Sequence, residues 1–188
     1  MRITGGRLAG RTVRCPEGEI RPAMDRMRES VFAILQNDLP GAAFLDLFSG
    51  SGVVGLEAWS RGAASVVMVE KDAGKRRILV ENAALAEGGA RVCIMPVERY
   101  IKFIKAGPFD IVFLDPPFSY RFKEELLRML ATSPLLAEGG LVLIHYPGEE
   151  KLPEDVGGLA RKDLRIYGRS HVGFYRRGGT CTEEEMPT

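Results

Sequence analysis

From Ala42 onward the chain alternates short apolar runs with longer amphipathic stretches, and this alternation constrains the fold more than any other feature. The runs at 43–47, 65–70, 91–95, 109–114 and 140–146 have the length and apolar character of buried strands. The stretches between them, about 53–61, 72–86, 97–105 and 121–131, predict helices. Apolar strands separated by such helices predict a parallel sheet covered on both faces. Two further strands at 159–167 and 170–177, joined by a tight turn at Gly168-Arg169, predict a closing antiparallel pair. The expected fold is therefore α/β, a doubly wound and mostly parallel sheet of seven strands.

A smaller unit precedes this region. Residues 2–15 alternate weakly around Gly5-Gly6 and Gly10, which predicts a hairpin. Arg21-Pro22 leads into a helix with Asp25 as its candidate N-cap and Met27, Val31, Ile34 and Leu35 at helical spacing. Leu39-Pro40-Gly41 ends it. Residues 1–40 are thus expected as a hairpin-plus-helix extension of a single domain whose main part is 41–177. Residues 178–188, Gly-rich and then acidic, are expected as a disordered tail.

At 188 residues the chain fits one domain with a full core. No apolar run approaches the roughly 20 residues needed to cross a bilayer. The N-terminus, Met1-Arg2-Ile3-Thr4, lacks an apolar signal core. Cys15, Cys93 and Cys181 offer neither a disulfide framework nor metal-ligand spacing, so the expected setting is a reducing cytoplasm and no metal is expected. The formal charge of +1 hides an uneven distribution. Arg2, Arg7, Arg11 and Arg14 come before any acidic residue, and Arg161, Lys162, Arg165, Arg169, Arg176 and Arg177 form a second group. These are either solvated faces or contacts to an acidic polymer.

The first central strand runs into Asp46-Leu47-Phe48-Ser49-Gly50-Ser51-Gly52-Val53-Val54-Gly55, which matches G-x-G-x-x-G before a helix. Glu70 closes the second strand, about 20 residues further on, as a nucleotide-binding fingerprint requires. A carboxylate there can accept both ribose hydroxyls of an adenosine. A pyrophosphate on the helix N-terminus needs a loop without negative charge, and Asp46 stands four residues before the first glycine. Such a carboxylate repels a pyrophosphate but can pair with the amino group of S-adenosylmethionine, directly or through water. The loop favours the sulfonium cofactor over NAD, against the alternative of a glycine turn with structural acids.

The fourth strand ends in Asp115-Pro116-Pro117-Phe118. Prolines fix φ and donate no hydrogen bond, so this segment presents acceptors beside an aromatic face. A planar base with an exocyclic amine suits such a slot, and a plain Pro-Pro turn is the alternative. In a doubly wound sheet, ligands bind beyond the strand ends where the order reverses. Asp46 and Asp115 would tip the two strands flanking that point, so the cofactor and the amine would face each other.

Here the sequence resembles the class I methyltransferases. Asp115-Pro116-Pro117-Phe118 resembles the D/N-P-P-Y/F motif of amino-methyltransferases that act on bases. The segment from Arg21 to Phe32 is similar to the R-P-T-x-D-R-V-R-E-x-x-F segment of the bacterial 16S rRNA guanine-N2 methyltransferase family. Asp46 to Ala63 is similar to that family's D-L-F-A-G-S-G-x-L-G-L-E-A-L-S-R-G-A. The order and spacing hold from Arg2 to about Arg177.

The resemblance implies methyl transfer from S-adenosylmethionine to a guanine N2 in 16S rRNA, possible also on a partly assembled small subunit, by a monomeric enzyme without membrane contact. It implies Asp115, Pro116, Pro117 and Phe118 at the chemistry. It also implies Asp46, Phe48, Ser49, Gly50, Gly52, Glu70, Lys71, Val97 and Asp115 at the cofactor. Arg2, Arg7, Arg11, Arg21 and Arg26 are the candidates for RNA backbone contacts.

The chain departs from the family at three places. Ala23-Met24 replaces a Thr-Thr-like pair, Pro96 replaces an adenine-reading Asp or Asn, and the fifth strand ends Ile144-His145-Tyr146 where the family has an acid. With Pro96 in place, adenine recognition falls to the Val97 N–H and to packing. His145 and His171 lack an evident partner in the sequence and are expected to be structural or surface residues. Trp59, at helical spacing with Leu56, is expected in the core. The competing functions are a DNA adenine-N6 methyltransferase, for which the chain has no spare target-recognition domain, and a non-catalytic nucleotide-binding module. An NAD oxidoreductase is disfavoured by Asp46.

Overall fold

A computed structural model of the protein describes residues 1–15 and 23–178. Parallel strands β1 (Ala43–Leu47), β2 (Ser65–Glu70), β3 (Ala90–Ile94), β4 (Phe109–Leu114) and β5 (Leu136–Pro147) form its centre. Antiparallel strands β6 (Asp155–Val156), β7 (Leu159–Tyr167) and β8 (Ser170–Arg177) extend one edge. The order is β3-β2-β1-β4-β5-β8-β7-β6. This is the expected doubly wound α/β sheet, with one strand more than the expected seven. The addition is β6, where Val156 pairs with Leu159 across a Gly157-Gly158 turn. Two residues are too short a run to stand out as a strand in the sequence.

Among the described residues five α-helices accompany the sheet: α1 (Ala23–Ile34), α2 (Val53–Ser60), α3 (Arg76–Ala83), α4 (Val97–Phe103) and α5 (Lys123–Thr132). The expected helix at 72–86 is divided, with short 3-10 turns at Ala73–Lys75 and Ala84–Ala86 flanking α3. Asp25 is not the N-cap of α1; the helix begins two residues earlier, and the carboxylate pairs with Arg28, three residues on, at 3.1 Å. Arg21 and residues 179–188, expected as an RNA contact and a tail, lie outside the described residues. No helix among the described residues is long and apolar enough to cross a membrane.

Strand side chains alternate between faces with period two, so each central strand feeds two cores. Phe44, Met68, Phe113 and Leu143 pack on one face with α1, α2 and α3. Leu45, Leu47, Val112 and Ile144 pack on the other with α4 and α5. The next residue of like parity on each of four strands is polar: Asp46, Glu70, Asp115 and His145. The pleat therefore carries all four to the carboxyl ends of the strands on the first face.

The N-terminal segment crosses α2 and α3. Its expected hairpin is one antiparallel bridge, Arg2↔Thr12, around a 3-10 turn at Gly6–Leu8. Gly6 has φ 75, and a Cβ there would fall 1.9 Å from the Ser60 carbonyl oxygen, so no other residue fits this crossing. Glu57 of α2 is fully buried and gathers the segment. Its carboxylate accepts from the Thr4 backbone at 2.9 Å, the Thr4 hydroxyl at 2.7 Å, Arg61 Nε at 2.8 Å and Arg28 Nε at 3.2 Å. Arg28, also buried, donates through Nη2 to the Arg2 carbonyl at 2.6 Å. One carboxylate and one guanidinium thus join the N-terminal strand, α1 and α2.

Removing one partner of a buried, hydrogen-bonded ion pair leaves the other desolvated, which costs several kcal/mol. Glu57 would keep Arg61 and Thr4, so the lower part of that range applies. Arg28→Met is expected to lower unfolding stability by about 3 kcal/mol in urea titration.

Candidate active site

The loop after β1 turns sharply because three of its residues adopt left-handed backbone: Phe48 (φ 65), Gly50 (φ 53) and Gly52 (φ 77). Phe48 does so without being glycine, a conformation that proteins tolerate mainly at functional sites. The third glycine of the motif has a different task. A Cβ on Gly55 would approach Met68 Cε to 2.8 Å and Val66 Cγ1 to 2.9 Å, so its absence lets α2 lie against β2. The Ser49 hydroxyl closes the turn by donating to the Asp46 carbonyl at 2.7 Å.

A cavity of about 460 Å3 opens beyond these strand ends. Asp46, Phe48, Ser49, Gly50, Glu70 and Lys71 line it from the glycine loop and β2, and Asp115, Pro116, Pro117 and Phe118 line it from β4. The two motifs thus share one space. Gly52 and Val97 do not line it; Gly52 supports the turn, and Val97 is buried at the start of α4. Met1 and Lys75 line it and were not foreseen. A second hollow of about 380 Å3, bordered by Asp38, Asp110 and Glu138, lies at the amino ends of β1 and β4. No expected site residue reaches it.

Four carboxylates line the first cavity; Asp72 accepts from Gly74 N at 2.8 Å, and the other three are each handled differently. Glu70 is tied to backbone, accepting from Gly50 N at 2.9 Å and Asp72 N at 2.9 Å. Asp46 is buried and accepts from Gly55 N at 3.1 Å. Burial above all, with the nearby charges of Asp115 and Glu70, pushes its pKa up to about 8 against the opposing Gly55 bond. Asp115 Oδ1 meets His145 Nδ1 at 2.8 Å.

That contact corrects the expectation for His145, which is neither at the surface nor without an acid. It is buried on β5, and its ring also meets Phe118 edge-on, 5.4 Å between centroids. The register explains the pairing. Leu114 stands opposite Ile144 in the β4–β5 ladder, so the next residues, Asp115 and His145, are neighbours on the same face. A signal was present in the sequence: each residue directly follows a run of apolar residues. Reading it required knowing that those two strands pair. His171 is half-buried and packs edge-on against Tyr146.

The loop carrying Phe118 is fastened from below. Lys123, almost wholly buried, donates to the Phe118 carbonyl at 3.1 Å, to the Tyr120 carbonyl, and to Glu150 at 2.8 Å. Tyr120 donates to Glu98 of α4 and packs its ring edge-on against Phe48 at 5.3 Å. The slot is thereby anchored to α4, α5 and the segment after β5. Of the arginines expected at RNA, Arg2, Arg7, Arg11 and Arg26 are exposed. Arg7 places its guanidinium 4.0 Å over the ring of Trp59, which is buried as expected.

Comparison with known proteins agrees with this geometry. A family model described as Conserved hypothetical protein 95 matches residues 1–176. The ribosomal RNA small subunit methyltransferase D of Escherichia coli is 34% identical over 94% of this chain and 90% of its own. The chain belongs to this family. The solved structure of yhhF from Escherichia coli, 34% identical, covers 95% of this chain and 98% of its own with a TM-score of 0.86. A more distant structure, magnesium protoporphyrin IX methyltransferase from Synechocystis PCC 6803 with bound SAM, shares the fold at 16% identity. Its TM-score is 0.65, with 87% of each chain covered.

The raised pKa of Asp46 has a measurable consequence. The folded protein retains a proton there that the unfolded chain releases above the ordinary carboxylate range. Its contribution to stability is complete at low pH and is lost as pH rises toward about 8. Between pH 5 and pH 8, Asp46→Asn is expected to lose less stability than the unaltered protein in parallel urea titrations. Equal losses would show that Asp46 does not titrate in this window.

Proposed function

We propose that this protein transfers a methyl group from S-adenosylmethionine to the exocyclic N2 amine of a guanine in small-subunit (16S) ribosomal RNA, acting as a monomer in the cytoplasm. The observation that carries the reading is the single cavity shared by the glycine loop and the Asp-Pro-Pro-Phe slot, in a chain of this family. The donor set fits the cofactor. Gly50 N–H already donates to Glu70, and Asp46, Glu70, Asp72 and Asp115 outnumber Lys71 and Lys75 around the cavity, an arrangement that opposes a pyrophosphate and favours a cation. A protein of the same fold has been solved with SAM bound, which supports the assignment.

Bound S-adenosylmethionine supplies a methyl group whose bond to sulfur breaks, both electrons going to sulfur, as the bond to the amine nitrogen forms. The protein's residues prepare the acceptor. A guanine N2 lone pair is delocalised into the ring, and N–H donation to the Asp115 carboxylate and the Pro116 carbonyl concentrates it on nitrogen. Asp115 Oδ2, which no described residue engages, then takes the proton released from that nitrogen. Phe118 stacks on the base, a contact worth roughly 1–3 kcal/mol, once the base has left its helix. Asp46 faces the cofactor's ammonium, whose charge favours the ionised carboxylate. Glu70 accepts from the ribose hydroxyls while holding Gly50. Arg2, Arg7, Arg11 and Arg26 serve the RNA backbone.

The direct test is transfer from labelled S-adenosylmethionine to 16S rRNA, small-subunit particles and duplex DNA, with nucleoside analysis of the products. N2-methylguanosine in RNA or particles is expected; N6-methyladenine in DNA instead would reverse the choice of acceptor. Asp115→Ala is expected to lower kcat by roughly 100- to 10,000-fold while calorimetric cofactor affinity stays within about twofold. Glu70→Ala is expected to weaken that affinity by about tenfold. Unchanged binding would remove Glu70 from the cofactor site.

A further inference from the structure

His145 stands between the two working parts of the slot. Its Nδ1 lies 2.8 Å from Asp115 Oδ1, and its ring meets the Phe118 ring at 5.4 Å and 64°. The His145 side chain is 3% exposed, whereas the Asp115 side chain is 23% exposed, and Asp115 lines the cavity. The histidine belongs to β5, hydrogen-bonded to β4 on one side and β8 on the other, so its backbone has little freedom. Asp115, by contrast, is the first residue beyond β4, followed by two prolines that cannot donate to the sheet. The rigid member of the pair is the histidine.

Its second nitrogen reveals the proton arrangement. Nε2 is buried and has no hydrogen-bond partner among the described residues. A protonated Nε2 would leave a buried donor unsatisfied, while an unprotonated one leaves a lone pair, in general the more readily tolerated lapse. The contacts therefore favour the tautomer in which Nδ1–H donates to the carboxylate and Nε2 carries the lone pair.

From this geometry we propose that His145 is a positioning residue for the acceptor amine: its Nδ1–H engages Asp115 Oδ1, holds the carboxylate plane, and directs Oδ2 at the amine. This inference rests on the role given to Asp115 above. His145 itself touches neither cofactor nor base and takes up no proton. The carboxylate would otherwise rotate about its terminal torsion, which is broad and has no strong intrinsic preference. The slot's selectivity for an amine follows, since a fixed acceptor rewards an N–H in one direction only.

The test compares two substitutions in the full-length protein. His145→Asn keeps an N–H donor the same number of bonds from Cβ as Nδ1, and His145→Leu keeps the volume without a donor. The expected result is a kcat roughly 10- to 100-fold lower for Leu, with cofactor affinity unchanged, and recovery of most of that loss by Asn. A Leu variant as fast as the unaltered protein, or an Asn variant no better than Leu, overturns the proposal. Nitrogen-15 NMR of the unaltered protein gives a second readout independent of turnover and of how the variants fold. A neutral ring protonated at Nδ1 supports the proposal, and one protonated at Nε2 overturns it. Asp115→Asn separates the two levels of argument. If that variant turns over normally, the functional reading fails and this inference falls with it; if it is inactive while His145→Leu is fully active, only this inference fails.

Discussion

Everything at the candidate site depends on β1 being hydrogen-bonded on both edges, to β2 on one side and β4 on the other. The chain leaves β1 over one half of the sheet and returns to β4 over the other half, so no connection covers the carboxyl end of β1. That opening is the cavity. The same pairing sets the phase of the strands: Asp46 is level with Met68 and Phe113, so Glu70 and Asp115 extend beyond it on neighbouring strands. Parallel register and a period of two then bring acids distant in sequence to one face.

Asp46, Glu70 and Asp115, three of the four acids in one cleft, would repel one another if all were ionised and unpaired. Each has a different relief. Asp46 keeps a proton, Glu70 accepts from two backbone N–H groups, and Asp115 is hydrogen-bonded to a histidine. With Asp72, these acids outnumber Lys71 and Lys75 around the cavity, a balance that suits a sulfonium amino acid better than a pyrophosphate. The N-terminal segment is attached by the same device elsewhere. Buried Glu57 is tolerable only because it accepts from Thr4, Arg28 and Arg61 together, and through them the segment bearing Arg2, Arg7 and Arg11 is held beside the cavity.

Much of this was legible in the chain. The strand and helix alternation, the glycine loop and the acid at the end of β2 are local patterns, and their spacing carries the consequence. β7 and β8 lie where their apolar alternation and the Gly168-Arg169 turn put them. What was not legible depends on contacts between distant segments. Arg7 resembles any basic residue near the N-terminus until Trp59 is beneath it. Val97 follows the third strand as an adenine-reading residue would, yet it is buried away from the cavity lining. Asp25 is a residue type that caps helices and instead pairs with Arg28, three residues further along α1.

The amino-acid sequence by itself determined the fold class, the glycine turn, and the residue types at each strand end, because periodicity and steric permission are properties of neighbouring residues. Only the tertiary structure decided which of those strand ends stand side by side. His145 and Asp115 are 30 residues apart, and no local rule relates them. Their hydrogen bond exists because β4 and β5 pair in parallel with Leu114 opposite Ile144, and a one-residue shift would have turned the imidazole to the other face of the sheet.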